Sequence, residues 1–391
     1  MDLRRVPAGD LDVASDPVLL AGIRDEIAST GPLTFARFME IALYDPERGY
    51  YRGAAARPGR GGDFLTAPEA HAIFGRAIAR FVDDLWRGLS RPERFTIREH
   101  GAGTGALAEA LLAGLDADGS DALLALRYRA VEVEPARTAA LRARLEAAGR
   151  AGVLEPEDDL PIDGLILANE VLDALPTQRV VIRHGELREV FVGLDGDGRL
   201  VDVEGTPSSP LLARRLADEG VALAEGQRAE ICLAVDAWIG RVSAGLGRGV
   251  ALLIDYGHPA PELYDPSRRA AGTLAAYLRH HVHDDPYRAI GRQDLTAHVD
   301  VTAVERAAAS AALVHLGTTT QAAFLDGLGA GEILVGYQSG PGATLQAYLE
   351  ARSALVRMID PAAMGRFRVM AFGRGLPAGT RLRGLQPVVE R

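Results

Sequence analysis

The sequence predicts an α/β protein: a Rossmann-like, parallel, doubly wound sheet with a helical N-terminal segment and inserted α+β elements. Three observations predict it. From about residue 93, short apolar runs alternate with helix-period stretches, the pattern of strands joined by crossover helices. A glycine-rich turn, Glu99-His100-Gly101-Ala102-Gly103-Thr104-Gly105, falls at the first strand-to-helix junction. The run Leu165-Ile166-Leu167 reads as a strand buried on both faces.

The first 90 residues read as mostly helical. Asp16-Pro17 opens a periodic stretch through Ile23 and Ile27, and Thr34 precedes Phe35, Phe38, Met39 and Leu43 at i, i+3, i+4 spacing. Tyr44-Asp45-Pro46 and Gly49 end that helix, and residues 53–62 form a Gly- and Arg-rich loop. Pro68 starts a further helix with Ile73, Phe74, Ile78, Phe81, Val82 and Leu85 on one side. The sheet domain is expected over 91–375, with strands at 95–97, 128–133, 165–167 and 250–254 and helices at 106–112 and 138–147. Two insertions interrupt it. The one at about 177–245 starts with antiparallel hairpin grammar around Asp195-Gly196-Asp197-Gly198 and then reads as helix from 208. The one at 258–300 is rich in Pro, His and Tyr. Runs at 312–316 and 367–372 are expected to close the sheet, leaving 376–391 as a tail.

Composition narrows the chemistry. All 43 basic residues are Arg, so no Schiff-base lysine, pyridoxal-phosphate attachment or Walker-type lysine exists. Proton transfer falls to His, Asp, Glu, Tyr or Cys. The 53 acids outnumber the bases and give −10, which disfavours nucleic acid and anionic membranes as partners. A single cysteine, Cys232, forbids an internal disulfide and a thiolate metal cage; its apolar neighbours suggest a buried, inert thiol. No signal peptide or membrane span is read, so a reducing cytoplasm is the expected location.

Three motifs carry chemistry. Glu99, Gly101, Gly103, Thr104 and Gly105 form a G-x-G-x-G turn after an acid, unlike the G-x-G-x-x-G of dinucleotide folds. Its glycines let the backbone approach a ligand, and the following helix offers free N–H groups. Glu132, in Val131-Glu132-Val133-Glu134-Pro135, ends the second strand, where a carboxylate can accept both ribose hydroxyls. It lies 27 positions after Gly105, and the polar insert at 116–121 accounts for that length. The alternative is an ordinary strand–turn–helix with surface acids. Third, Ala168-Asn169-Glu170-Val171-Leu172-Asp173-Ala174-Leu175-Pro176 follows the buried strand at 165–167, so Asn169 and Glu170 fall in the ligand crevice beyond the strand ends. Asp173, three residues on, can share a helix face with Glu170. The competing reading is a helix cap by Asn169 with Glu170 in the first turn.

With these motifs the chain resembles the MidA family of class I S-adenosylmethionine-dependent methyltransferases. The family is bacterial and mitochondrial, and its mitochondrial member is an arginine methyltransferase acting in respiratory complex I assembly. The likeness spans roughly residues 30–375. It includes Gly31-Pro32-Leu33-Thr34-Phe35, Gly62-Asp63-Phe64-Leu65-Thr66-Ala67-Pro68-Glu69, Ala168 to Pro176, Asp255-Tyr256-Gly257, Gly272-Thr273-Leu274 and Asp294-Leu295-Thr296-Ala297-His298-Val299-Asp300. The glycine motif departs from the family's frequent Gly-Pro-Gly-Arg-Gly.

The resemblance implies S-adenosyl-L-methionine as cofactor, with Asp63, Thr66 and Asn169 joining Glu99, the glycine turn and Glu132 around it. It implies Glu170 as the first catalytic candidate, supported by Asp173 or Asp255, with Glu69 lining the crevice. The implied partner is a protein presenting an arginine. A small-molecule or peptide O- or N-methyltransferase and a non-catalytic assembly factor of the same fold remain open, and a nicotinamide oxidoreductase is opposed by the glycine spacing. His280, His281 and His283, near Asp284 and Asp285, are compatible with zinc or iron, but adjacent histidines diverge, so no metal is expected.

Overall fold

The computed structural model describes residues 4–5, 13–52, 66–279, 281–340 and 343–385. The chain forms two compact units. One comprises Leu65–Val171, Ile239–Tyr256 and Ala308–Arg391; the other comprises Met1–Phe64, Leu172–Trp238 and Gly257–Ala307.

The first of these units is a six-stranded α/β sheet. Its strands lie in the order Val314–Thr320, Arg368–Arg374, Leu246–Asp255, Ile162–Asn169, Phe95–His100, Leu126–Val131. The last four pair in parallel. Arg368–Arg374 runs antiparallel to both of its neighbours, so the late strands do close the sheet, with this one strand reversed and Val314–Thr320 again in the direction of the parallel four. A parallel bridge from Tyr128 to Leu154 prolongs the outer edge. Leu165, Leu167, Val250, Leu252 and Ile254 are buried, as continuous apolar strands between helical layers should be.

Helix Ile73–Gly88 belongs to this unit and buries its apolar stripe in the same core. It crosses helix Ala106–Ala117 at small residues. A Cβ on Gly75 would stand 2.6 Å from Ala110 Cβ, and one on Gly114 would stand 2.7 Å from Ala79 Cβ. Any larger residue at either crossing point would push the helices apart.

The other unit begins with helices Pro17–Thr30 and Phe35–Tyr44. Asp16 caps the first through the N–H groups of Val18 and Leu19, both at 3.1 Å, and Thr34 caps the second through Arg37 N–H at 3.1 Å. Ile23, Phe35, Phe38 and Leu43 pack with Val192, Ala276 and Leu295. An antiparallel sheet follows, ordered Leu200–Gly205, Glu186–Leu194, Gln178–Arg183, Arg228–Ile231. The Asp195–Gly198 turn forms as expected, with Asp195 Oδ1 accepting the N–H groups of Asp197 and Arg199 at 2.9 and 2.8 Å. The segment read as helical from 208 is not continuous: helix Pro210–Asp218 is separated from helix Ala234–Gly245 by the strand Arg228–Ile231. That strand is only four residues long, so its alternation was overshadowed by the helical periods on either side. Strands Ala275–Leu278, His281–His283 and Asp294–Thr296 form a further small sheet. Among the described residues no helix is long and apolar enough to cross a membrane.

Candidate functional site

The crevice residues of the α/β unit collect where the strands Phe95–His100, Leu126–Val131, Ile162–Asn169 and Leu246–Asp255 end. Gly101, Gly103 and Gly105 all have left-handed backbones, at φ +70°, +57° and +81°. Gly105 is the N-cap of helix Ala106–Ala117, and no side chain caps that helix. A Cβ there would lie 2.8 Å from Leu141 Cγ, and one on Gly101 would lie 2.9 Å from Val171 Cγ2. The turn is therefore tight because its neighbours press against the backbone, and it leaves the first helical N–H groups open to a ligand.

Glu132 is joined to this turn: its Oε1 accepts the N–H of Gly103. Burial raises the Glu132 carboxyl above its ordinary range, opposed by that N–H and by Arg137. Glu134 is used differently, capping helix Pro135–Ala147 by accepting Ala136 N–H at 3.1 Å. Thr104 donates its hydroxyl to Glu69, whose helix Ala67–Ala70 belongs to the same unit. Thr66 precedes that helix without a side-chain cap bond, and Asp63 lies outside the described residues.

Glu99 is only 3% exposed, and its Oε2 accepts the Tyr128 hydroxyl at 2.5 Å. Burial pushes this carboxyl up to about 7, with the Tyr128 bond opposing. Glu99 is thus bonded to a side chain of the neighbouring strand. Tyr128 was not anticipated; the available signal was a polar-tipped aromatic inside an otherwise buried strand, which must find a partner.

Asn169 ends its strand, and its Nδ2 donates to Glu170 Oε1 at 3.0 Å. Asn169 Oδ1 is buried with no hydrogen-bond partner among the described residues. Glu170 has φ +56°, and its N–H donates to Ile254 O at 2.8 Å. This corrects both helical readings of the segment. Turns follow Glu170, so Asn169 caps no helix and Glu170 and Asp173 share no helix face. A left-handed residue cannot sit inside the first turn of a right-handed helix. Asp255 is 0% exposed and accepts the N–H groups of Val171 at 3.1 Å and Tyr256 at 2.8 Å.

The remaining candidates lie in the other unit. Asp173 is 8% exposed, and its backbone oxygen accepts Ala297 N–H at 3.0 Å. Asp294 accepts the Tyr51 hydroxyl at 2.7 Å. Burial, followed by the charge of Asp294, holds Tyr51 well above the usual tyrosine range. His298 is pushed down to about 4 by burial, His258 and Arg269. His281 and His283 sit on one short strand, with His281 Nδ1 against Arg279 O at 2.8 Å and His283 Nδ1 accepting Asp285 N–H at 3.3 Å. His280 lies outside the described residues. Among the described residues no group of three His, Cys, Asp or Glu is placed to hold a metal ion. Cys232 is half-buried rather than fully buried, its Sγ donating to Pro176 O at 3.7 Å, and desolvation raises its thiol to about 11.

In chemical terms the α/β unit offers the N–H donors of a helix N-terminus, the carboxylate of Glu132 at the second strand, and the buried amide oxygen of Asn169 beside the carboxylate of Glu170. That set suits a ligand with hydroxyl and amine donors at one place and a negative group at another, such as a nucleoside carrying an amino-acid tail.

The chain is similar to several known proteins. A protein-family model described as "Putative S-adenosyl-L-methionine-dependent methyltransferase" matches residues 77–319. A Drosophila melanogaster protein named "Protein arginine methyltransferase NDUFAF7 homolog, mitochondrial" is 30% identical over 390 residues, 91% of this chain and 85% of its own. The Homo sapiens protein of the corresponding name is 28% identical over 345 residues, covering 81% and 75%. A crystal structure from Burkholderia thailandensis, bound to S-adenosyl-homocysteine, is 37% identical, covers 92% of each chain and superposes with a TM-score of 0.83.

Proposed function

The chain belongs to this family of S-adenosyl-L-methionine-dependent methyltransferases, and we propose from that premise that its methyl acceptor is an arginine side chain of a protein. The enzyme uses S-adenosylmethionine as cofactor. The arginine reading is supported by relatives named as protein arginine methyltransferases and by the carboxylates of the crevice.

S-adenosylmethionine supplies an electrophilic methyl group on a sulfonium with a good leaving group. The protein's task is alignment, which can contribute about 7–11 kcal/mol. Gly101, Gly103 and Gly105 would admit the cofactor's tail to the N–H groups of helix Ala106–Ala117, and Glu132, held beside the turn by Gly103 N–H, would receive its ribose. Asn169 Oδ1, buried without a partner among the described residues, would accept a donor from the bound cofactor. Glu170 holds the acceptor. A guanidinium is always cationic, with a pKa above about 12, so a carboxylate must localise its charge for one nitrogen to attack. The observation that carries this role is the fixed presentation of Glu170, left-handed at a strand end and bonded at its carboxyl by Asn169 at 3.0 Å.

The test is transfer of a tritiated methyl group from S-adenosylmethionine into a cell lysate. Label in protein, recovered after acid hydrolysis as methylated arginine, is the expected result. Label confined to small molecules, or no label, contradicts the arginine reading.

A further inference from the structure

Asp255 ends the strand Leu246–Asp255 and is wholly buried. Its two carboxylate oxygens are directed at backbone: Oδ2 accepts Val171 N–H at 3.1 Å, and Oδ1 accepts Tyr256 N–H at 2.8 Å. The first of these bonds closes on the peptide that follows Glu170. The peptide before Glu170 is held on the same strand end, through Glu170 N–H and Ile254 O at 2.8 Å. Both peptides flanking Glu170 are thus fixed to one strand, and between them the residue adopts φ +56°. An L-residue with a long side chain does not settle there unless its surroundings hold it.

The two anchors differ in kind. Any residue at position 254 supplies a carbonyl, but only a short acid at 255 supplies an acceptor for the Val171 N–H while also accepting the N–H of residue 256. Val171 adds a third constraint, because its Cγ2 stands where a Cβ on Gly101 would approach to 2.9 Å. The peptide that Asp255 grips therefore also fits against the first glycine of the cofactor turn.

We propose that Asp255 is a positioning residue that acts on methyl transfer through Glu170. It sets the left-handed turn from which Glu170 presents its carboxyl and does not itself hold the methyl acceptor. This rests on the reading of Glu170 given above and replaces the expectation that Asp255 supports catalysis directly. Replacing the acid with the isosteric amide leaves at most one good acceptor facing two N–H donors, so the Glu170–Val171 peptide loses its anchor.

Two measurements on the full chain decide it. The first is a crystal structure of Asp255→Asn with S-adenosyl-homocysteine. Departure of Glu170 from the left-handed region is expected; a φ still near +56° overturns the proposal. The second is the tritiated methyl assay with lysate protein as acceptor. Asp255→Asn should lower kcat about tenfold or more while KM for S-adenosylmethionine stays within about twofold. The double variant Glu170→Gln with Asp255→Asn should be no slower than Glu170→Gln alone, since a residue acting only through Glu170 adds nothing once that carboxylate is gone. Losses that multiply, or a loss seen only in cofactor affinity, overturn it. If Glu170→Gln turns over like wild type, the reading of Glu170 fails, while the φ of Glu170 in Asp255→Asn still decides whether Asp255 sets the turn. Should Asp255→Asn not fold, Asp255→Ser, which keeps one acceptor, takes both measurements with the same criteria.

Discussion

Single residues in the crevice work by geometry that their types only partly announce. Gly105 was legible in the sequence through the G-x-G-x-G spacing, and the structure supplies the reason: a left-handed N-cap against Leu141 admits no side chain without strain. Gly105→Ala should therefore cost about 1–3 kcal/mol of stability and lower affinity for S-adenosylmethionine by about tenfold or more, measured by calorimetry and by urea denaturation. Glu99 was legible as an acid before the glycines but not in its bond, since nothing in the sequence places Tyr128 beside it. Its burial makes a further prediction. The folded carboxyl titrates at about 7, raised from 4.5. The neutral acid is favoured on folding, so its contribution is fully present below pH 4.5 and is lost as pH rises to about 7. Glu99→Gln keeps an acceptor for Tyr128 and removes this loss. Its stability relative to wild type should rise between pH 5 and pH 8 by on the order of 2 kcal/mol, read from denaturation midpoints at both values. A difference independent of pH would show that Glu99 stays ionised on folding.

Secondary-structure elements were read well where their periods were long and poorly where a few residues decided them. Helices Pro17–Thr30 and Phe35–Tyr44 carried both cap and stripe in the sequence, whereas Ile73–Gly88 carried only the stripe: its N-cap is Ala72, without a side-chain bond, and the helix that Pro68 opens is the separate short one, Ala67–Ala70. The turn at Glu170 carried neither, because left-handed backbone at a glutamate depends on bonds from the distant residues Ile254 and Asp255. Strand Arg228–Ile231 was hidden for a related reason: it is stabilised by pairing with Gln178–Arg183, from Gln178 opposite Ile231 to Val181 opposite Arg228, and local pattern does not encode so distant a contact. Packing between helices supplies a prediction at this scale. Gly114→Ala puts a Cβ 2.7 Å from Ala79 Cβ and 2.9 Å from Arg76 Cα, with backbone on one side. It should lower stability by about 1–3 kcal/mol, seen as a reduced melting temperature, while cofactor affinity in the folded protein changes little. A melting temperature equal to wild type would mean that the helices separate freely at this crossing.

For the molecule as a whole, the parallel sheet and its glycine turn were predictable from alternation and spacing. The division into two compact units was not, since each unit gathers three separate stretches of chain. The absence of lysine excludes several mechanisms without selecting one, and the surplus of acids over arginines, 53 to 43, suits a cationic acceptor. Family membership fixes the cofactor and the class of reaction, so what remains to be tested is the link between Glu170 and an arginine acceptor. The most direct measurement compares wild type and Glu170→Gln for tritiated methyl transfer to lysate protein, with S-adenosyl-homocysteine affinity determined on both by calorimetry. Equal affinity is expected, with a loss of labelled methylarginine of about a hundredfold or more in the variant. Equal labelling by the two proteins would contradict it.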